Sequence, residues 1–281
     1  MKTITRTVYG AYLQTCMLLN LPFSMASNST LNEKFGVESG TAPTSDVLPK
    51  VGYFAIGNGG HSFSVGINNI TKNEVVQHRA RDAALFNHLP FVLREPADDL
   101  TAAERAKYGL RREETYNGVR YIAYYLKRME LSDVVAEMQY KVVEDDETET
   151  TTPFTPTSAD LSPTPQVLSS TGVNTTTGDY LTATAKVLID FTSDDVVELQ
   201  NVANVIYGDP DYAMVSEIAL VSGVDKVVSV TNTGIGTFNF KEVIAAQVCS
   251  FVAALYSASM NNEGFEIVLD VGATEPLFKL K

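Results

Sequence analysis

The chain has 281 residues, enough for one large domain or two small ones. It is 44% hydrophobic and 20% charged, an ordinary globular balance, and its net charge of −13 speaks against nucleic acid as the main partner, because phosphate binding needs dense positive charge. No run approaches the roughly 18 consecutive apolar residues of a membrane span, so none is expected.

The charge is unevenly spread. Residues 1–130 carry 15 Lys and Arg against 12 Asp and Glu, whereas residues 131–281 carry 6 against 22. Such a division suits head-to-tail contact with copies or neighbours, and solubility accounts for it equally well. The two cysteines, Cys16 and Cys249, are too few for a disulfide framework and fit a reducing compartment, where they serve as small buried hydrophobes.

In chain order, "MKTITRTVYGAYLQTCMLLNLPFSMA" opens with Lys2 and Arg6 and ends in Ser24-Met25-Ala26, the outline of a secretory leader. Gln14, Thr15 and Asn20 interrupt its apolar run, and Tyr9, Leu13 and Met17 recur at four-residue spacing, so a structural helix is expected instead. Residues 24–50, rich in Ser, Thr, Asn, Gly and Pro, read as a long connection. Strands are expected at Val51–Ile56 and Ser62–Ile67, joined as a hairpin by Gly57-Asn58-Gly59-Gly60, where glycine would supply positive φ. Residues 74–114 read as partly helical, with Thr101 and Glu104 in the capping-box relation before a short helix. Asn117-Gly118 predicts a turn, and Val119–Leu131 a long strand buried on both faces.

The stretch "EDDETETTTPFTPTSADLSPTP" breaks the composition. Its proline content excludes helix and central strand, so it reads as a linker or as an arm laid along a neighbour. Beyond it, "YLTATAKVLIDF" alternates like a half-exposed strand, and Ser193-Asp194-Asp195 caps a helix with Val196, Leu199, Ala203 and Ile206 on one face. "AMVSEIALVSGVDKVVSV" reads as two strands about a Gly223-Val224-Asp225 turn. Residues 238–258 place Ile244, Val248, Phe251, Val252 and Leu255 at helical spacing and predict a helix, although β-branched content leaves a strand open. "FEIVLDVG" closes as a strand. The division is 1–145, an N-terminal α/β part; 146–179, a Thr/Pro-rich linker or arm; and 180–281, an acidic, β-rich part. The fold class is α+β and β-rich, with an N-terminal helix, mixed or antiparallel sandwich-like sheets, short helices and long extended connections.

Motifs for chemistry are few. His61, His78 and His88 form no HExxH and have no Cys-x-x-Cys beside them; His78 and His88 read as surface or helix-end residues. The glycine run is neither a phosphate loop nor a dinucleotide fingerprint, and no G-x-S-x-G elbow occurs, so it reads as a turn. Asp98-Asp99, Asp194-Asp195 and Asp209-x-Asp211 are the carboxylate pairs, each with a helix-end or turn explanation. Without tryptophan, a carbohydrate-binding or hydrolysing site is the weaker reading. No catalytic, cofactor-binding or metal residues are assigned, and no cofactor is expected.

"SEIALVSGVD" at 216–225 resembles a pattern in tail and baseplate proteins of tailed bacteriophages. "YFAIGNGG", "HLPFVLREPADDL", "VRYIAYYLKRMEL" and "GFEIVLDVGATEPL" are similar, in that order, to segments of the baseplate wedge proteins of contractile-tailed phages. The resemblance touches about half of the chain. It implies a virion structural subunit, not an enzyme, that assembles with other virion proteins and with its own copies. Its place would be the tail or baseplate, or alternatively a neck, collar or connector ring, with assembly in the host cytoplasm.

Overall fold

In the computed structural model the described residues are all except 1–2, 20, 45–46, 67–70, 145, 159, 162–174, 233, 259–262 and 279–281. In order they form β1 (Thr3–Arg6), α1 (Val8–Leu19), α2 (Leu31–Phe35), β2 (Lys50–Gly57), β3 (His61–Val65), β4 (Thr71–Val75), β5 (His88–Leu89) and β6 (Val92–Arg94). Then follow α3 (Ala102–Arg105), β7 (Tyr108–Tyr116), β8 (Val119–Arg128), β9 (Ala136–Val143), β10 (Glu149–Pro153), β11 (Thr175–Phe191) and α4 (Ser193–Tyr207). The chain closes with β12 (Met214–Asn232), β13 (Gly236–Ser257) and β14 (Phe265–Phe278). The expected β-rich α+β class and N-terminal helix are present.

Two compact units emerge: Met1–Met129 with Asp190–Phe265, and Glu130–Ile189 with Glu266–Lys281. This differs from the division at 145 and 179, because pairing rather than composition sets the boundary. β1 pairs β13 and β2 pairs β12, so the beginning of the chain and residues 190–265 share one sheet. The Thr/Pro tract is not wholly a linker either. Glu149–Pro153 pairs with β9 as an edge strand, where a proline is tolerated because one side of the strand makes no ladder bonds.

The first unit is built on an eight-stranded sheet of order β1-β13-β12-β2-β8-β6, with β5 also on β2 and β7 also on β8. β7 and β8 close as a two-residue hairpin in which Asn117 and Gly118 take φ of 50° and 81°, as the turn pair predicts. The long strands are the main departures from expectation. β12 runs unbroken through Gly223, and β13 is a strand of 22 residues where helical spacing had pointed to a helix. Residues 242–248 are buried without exception, so both faces of β13 are covered there, with Glu242 and Gln247 the polar members of the run. A strand covered on both faces carries apolar residues at helical spacing as readily as at strand spacing.

Gly223 marks an irregularity in the β12–β13 ladder, with a register shift between Ser222 and Val224. A Cβ on it would lie 2.3 Å from Val243 Cγ2, so its glycine serves close approach and not a turn. Nearby, Ala245 takes φ 54°, and Asn32 of α2 repairs the ladder: its Nδ2 donates to Val243 O at 2.8 Å and its Oδ1 accepts from Ala246 N at 2.9 Å. α2 lies inside the presumed connection 24–50, held by a capping box of Thr30 and Glu33. With α2, Leu31 and Phe35 join Tyr53, Tyr125, Val202, Val243 and Phe251 in one core.

α1 buries Leu13 and Cys16 while Met17 stays exposed, so the buried stripe runs through positions 13 and 16 rather than 13 and 17. α3 and α4 start with the expected side chains, except that Thr192, paired with Asp195, is the N-cap of α4. Apart from α3 and a 3-10 turn at Pro96–Asp98, residues 74–114 are strands and irregular segments, not helix. β3 pairs with β4 in a separate two-stranded ribbon and makes no hairpin with β2.

The second unit has one four-stranded sheet, β10-β9-β11-β14. In its register Met138, Tyr140 and Val142 lie opposite Ala183, Leu181 and Asp179, while Glu137, Gln139 and Lys141 lie opposite Thr184, Thr182 and Tyr180. One face is therefore mainly apolar and the other polar.

Gly223→Ala should lower stability by about 1–3 kcal/mol, the usual range for overpacking a filled core. Val243→Ala in the same chain should recover part of that loss, and urea unfolding of the two single variants and the double variant measures the coupling.

Candidate functional site

The glycine run expected to be a hairpin turn is bound to one buried glutamate. β12 carries Glu217 inward, 1% exposed, opposite Gly57 of β2. Its Oε1 accepts from the backbone N–H of Gly59 and of Asn87, both at 2.9 Å. Its Oε2 accepts from Phe86 N at 3.0 Å and meets His78 Nε2 at 2.7 Å. An ionised carboxylate has about four acceptor positions, and here all four are used. The neighbouring Ser216 Oγ takes the N–H of Gly60 at 3.0 Å.

The glycines allow this approach by lacking side chains. A Cβ on Gly57 would fall 2.4 Å from Asn87 O and 2.6 Å from Glu217 Oε1, and one on Gly60 would fall 2.6 Å from Ser216 O. None of Gly57, Gly59 and Gly60 is among the residues with positive φ, so neither a hairpin turn nor left-handed backbone explains them.

His78 is no surface residue. Its ring is stacked between Phe86 and Phe251, with centroids at 3.9 and 3.8 Å, and its Nδ1 lies 3.6 Å from Asp82 Oδ2. His88 accepts the N–H of Leu85 through Nε2 and packs edge-on against Phe35. Desolvation holds the His88 imidazole neutral, with its pKa lowered to about 3. His61 is also lowered by burial, opposed by the charge of Glu217. All three histidines thus belong to the packing around this loop. Over it lies a polar surface group in which Asn58 and Asn87 both donate to the Tyr207 hydroxyl.

What the cluster can do chemically follows from its bonds. A general base or metal ligand needs a free lone pair facing substrate or ion, and Glu217 has none to spare. The arrangement is a tie that holds the glycine loop and residues 78–87 to β12. The sequence carried one signal for it, the glycine spacing; the glutamate lay 158 residues away and was missed.

The expected carboxylate pairs do not meet in a site. Asp99 is saturated in the same manner as Glu217: Oδ1 accepts from Tyr124 OH and Leu100 N, and Oδ2 from Arg111 and Asn232. Asp195 completes the capping box of α4, and Asp209 caps a 3-10 turn by accepting Asp211 N. Asp98 and Asp194 are exposed in the first turns of their segments. Among the described residues no group of three or more His, Cys, Asp or Glu is placed to hold a metal ion, and no helix is long and apolar enough to cross a membrane.

Glu242 on β13 differs from these. It is buried, and its Oε1 accepts from Arg111 N at 3.2 Å. Burial pushes its pKa up to about 8, partly countered by the Arg111 N–H bond.

Residues 1–281 match the model of a family of unknown function, DUF7208, and the chain belongs to that family. No curated protein and no solved structure matches it.

Two outcomes are expected. Glu217→Ala leaves three partly buried N–H groups and the buried His78 without that acceptor and should cost about 3–5 kcal/mol, with hydrogen exchange of the Gly59, Phe86 and Asn87 amides accelerating. Unchanged exchange at those amides would refute the tie. For Glu242 the folded pKa lies above the ordinary value of 4.5, so the native state holds the proton more tightly. Its contribution is complete below pH 4.5 and is lost as pH rises to about 8. Glu242→Gln should therefore flatten that decline and raise Tm most at pH 8, as thermal scans across the range would register.

Proposed function

We propose that this protein is a structural subunit of a tailed-phage virion, a baseplate component of the wedge type that acts by assembling with other virion proteins and with its own copies. The observation that carries the reading is spatial. Four of the five segments that resemble phage tail, baseplate or wedge proteins fall on β12, β2, β5–β6 and β8. These strands are neighbours in one sheet: β2 pairs β12, β5 and β8, and β6 pairs β8. Pieces scattered along the sequence are thus one contiguous block.

A second observation supports an assembling protein. The ribbon of β3 and β4 presents Phe63, Val65 and Val75, all exposed, on one face with His61 and Asn73, and Ser62, Ser64, Lys72 and Glu74 on the other. An amphipathic ribbon in neither larger sheet has its apolar face available to a neighbour. Catalysis has no comparable support, because the buried carboxylates Glu217 and Asp99 are occupied as structural ties.

The neck or collar reading shares these surfaces and differs in symmetry. Gold-labelled antibody against the chain, applied to particles from the native source, separates the two. Label at the distal end of the tail is expected, and label at the head–tail junction would move the subunit to a collar. Particles that carry no label, and no peptides of the chain by mass spectrometry, would end the virion reading.

A further inference from the structure

The molecule carries two apolar surfaces of opposite electrostatic surroundings. The first is the outer flank of α1. The inner side of the helix sits so close to β13 that a Cβ on Gly10 would lie 2.8 Å from Cys249 O. Around the helix, Val8, Tyr12 and Leu19 fall within one stripe at 3.6 residues per turn, and they are 54%, 43% and 59% exposed. Leu21, just beyond the helix, is also exposed. A helix apolar on its inner and outer sides is ordinarily covered on both. The surroundings are basic. Arg6 precedes the helix, and residues 79–81 are bound to its first turn through Val8 N to Ala80 O and Tyr9 OH to Arg81 O, bringing exposed Arg81 alongside, with Arg79 next to it in an ion pair with Asp82. The first 32 residues contain no Asp or Glu.

The second surface is the apolar face of the four-stranded sheet, formed by Met138, Tyr140 and Val142 of β9 with Leu181, Ala183 and Ala185 of β11. Among the described residues the second unit has no helix and no second sheet. Met138 is 52% exposed and Ala183 is also exposed. This unit carries 13 Asp and Glu against 4 Lys and Arg. Glu144, Asp146 and Glu147 occupy the turn between β9 and β10, next to Val142.

We infer that the α1 flank of one copy docks on the β9–β11 face of a second copy, with apolar side chains at the centre and arginines facing carboxylates at the rim. This rests on the assembly reading above and names the surfaces for it. The charge argues for the pairing: acidic sheet against acidic sheet, or basic flank against basic flank, would set like charges together, whereas flank against sheet sets opposite ones. An apolar centre with a charged rim is the usual anatomy of a protein interface. Because the two patches differ, the contact is head-to-tail, and each copy keeps one of each surface free until a ring closes.

A mixing experiment on the full chain tests this. Leu19→Glu alters only the flank and Met138→Glu only the sheet face, both at exposed positions; unchanged circular dichroism and Tm would verify that each folds. By light scattering after size exclusion, the wild-type chain should form species larger than a dimer, shrinking as salt is raised. Each variant alone should run as a single chain. An equimolar mixture retains one intact flank and one intact sheet face, so it should recover a dimer and nothing larger. Variants that assemble like wild type, a mixture that stays monomeric, or a wild-type chain that is monomeric at every concentration would each overturn the proposal. The last result would leave the virion reading standing, since gold labelling reports placement in the particle independently of self-association.

Discussion

The first unit depends on the burial of Glu217. Taking a carboxylate out of water costs several kcal/mol unless every acceptor position is matched, and here the matching groups come from segments distant in the chain. The glycine loop, residues 78–87 and β12 must all be in place before the charge is satisfied. Such a group adds little net stability over an apolar one of the same shape, but it penalises every arrangement in which one donor is missing. Asp99 does the same on another part of this unit, bringing together Tyr124, Arg111 and Asn232.

Asn32 extends this logic to the backbone. At the irregularity in the β12–β13 ladder one side-chain amide bonds both a carbonyl and an N–H of β13. α2 is thereby more than a short turn in a connection. It plugs the sheet and supplies Leu31 and Phe35 to the core.

Local features were legible in the sequence. The Asn117-Gly118 turn, the Thr101–Glu104 box and the cap of the helix after Thr192 rest on contacts within a few residues, and the strand "VRYIAYYLKR" shows in its own β-branched and aromatic content. The box at Thr30 and Glu33 has the same signature and was hidden only by the polar composition around it. What was not legible depends on distant partners. β13 looked helical because both its faces are buried, and Gly223 looked like a turn because Val243, which it must approach, is 20 residues away. The glycine loop was misread for the same reason: its spacing was visible, but Glu217 was not.

The pairing of Thr3 with Ala253 and of Glu217 with Gly57 has a consequence during synthesis. β1 and β2 leave the ribosome long before their partners β13 and β12, so the sheet has a high contact order and completes slowly. A chain truncated before residue 214 lacks β12 and β13, and with them the platform for α1 and the acceptor for the glycine loop. Only a translation product that already includes β13 can seat α1, so the position of that helix reports whether β13 has been made.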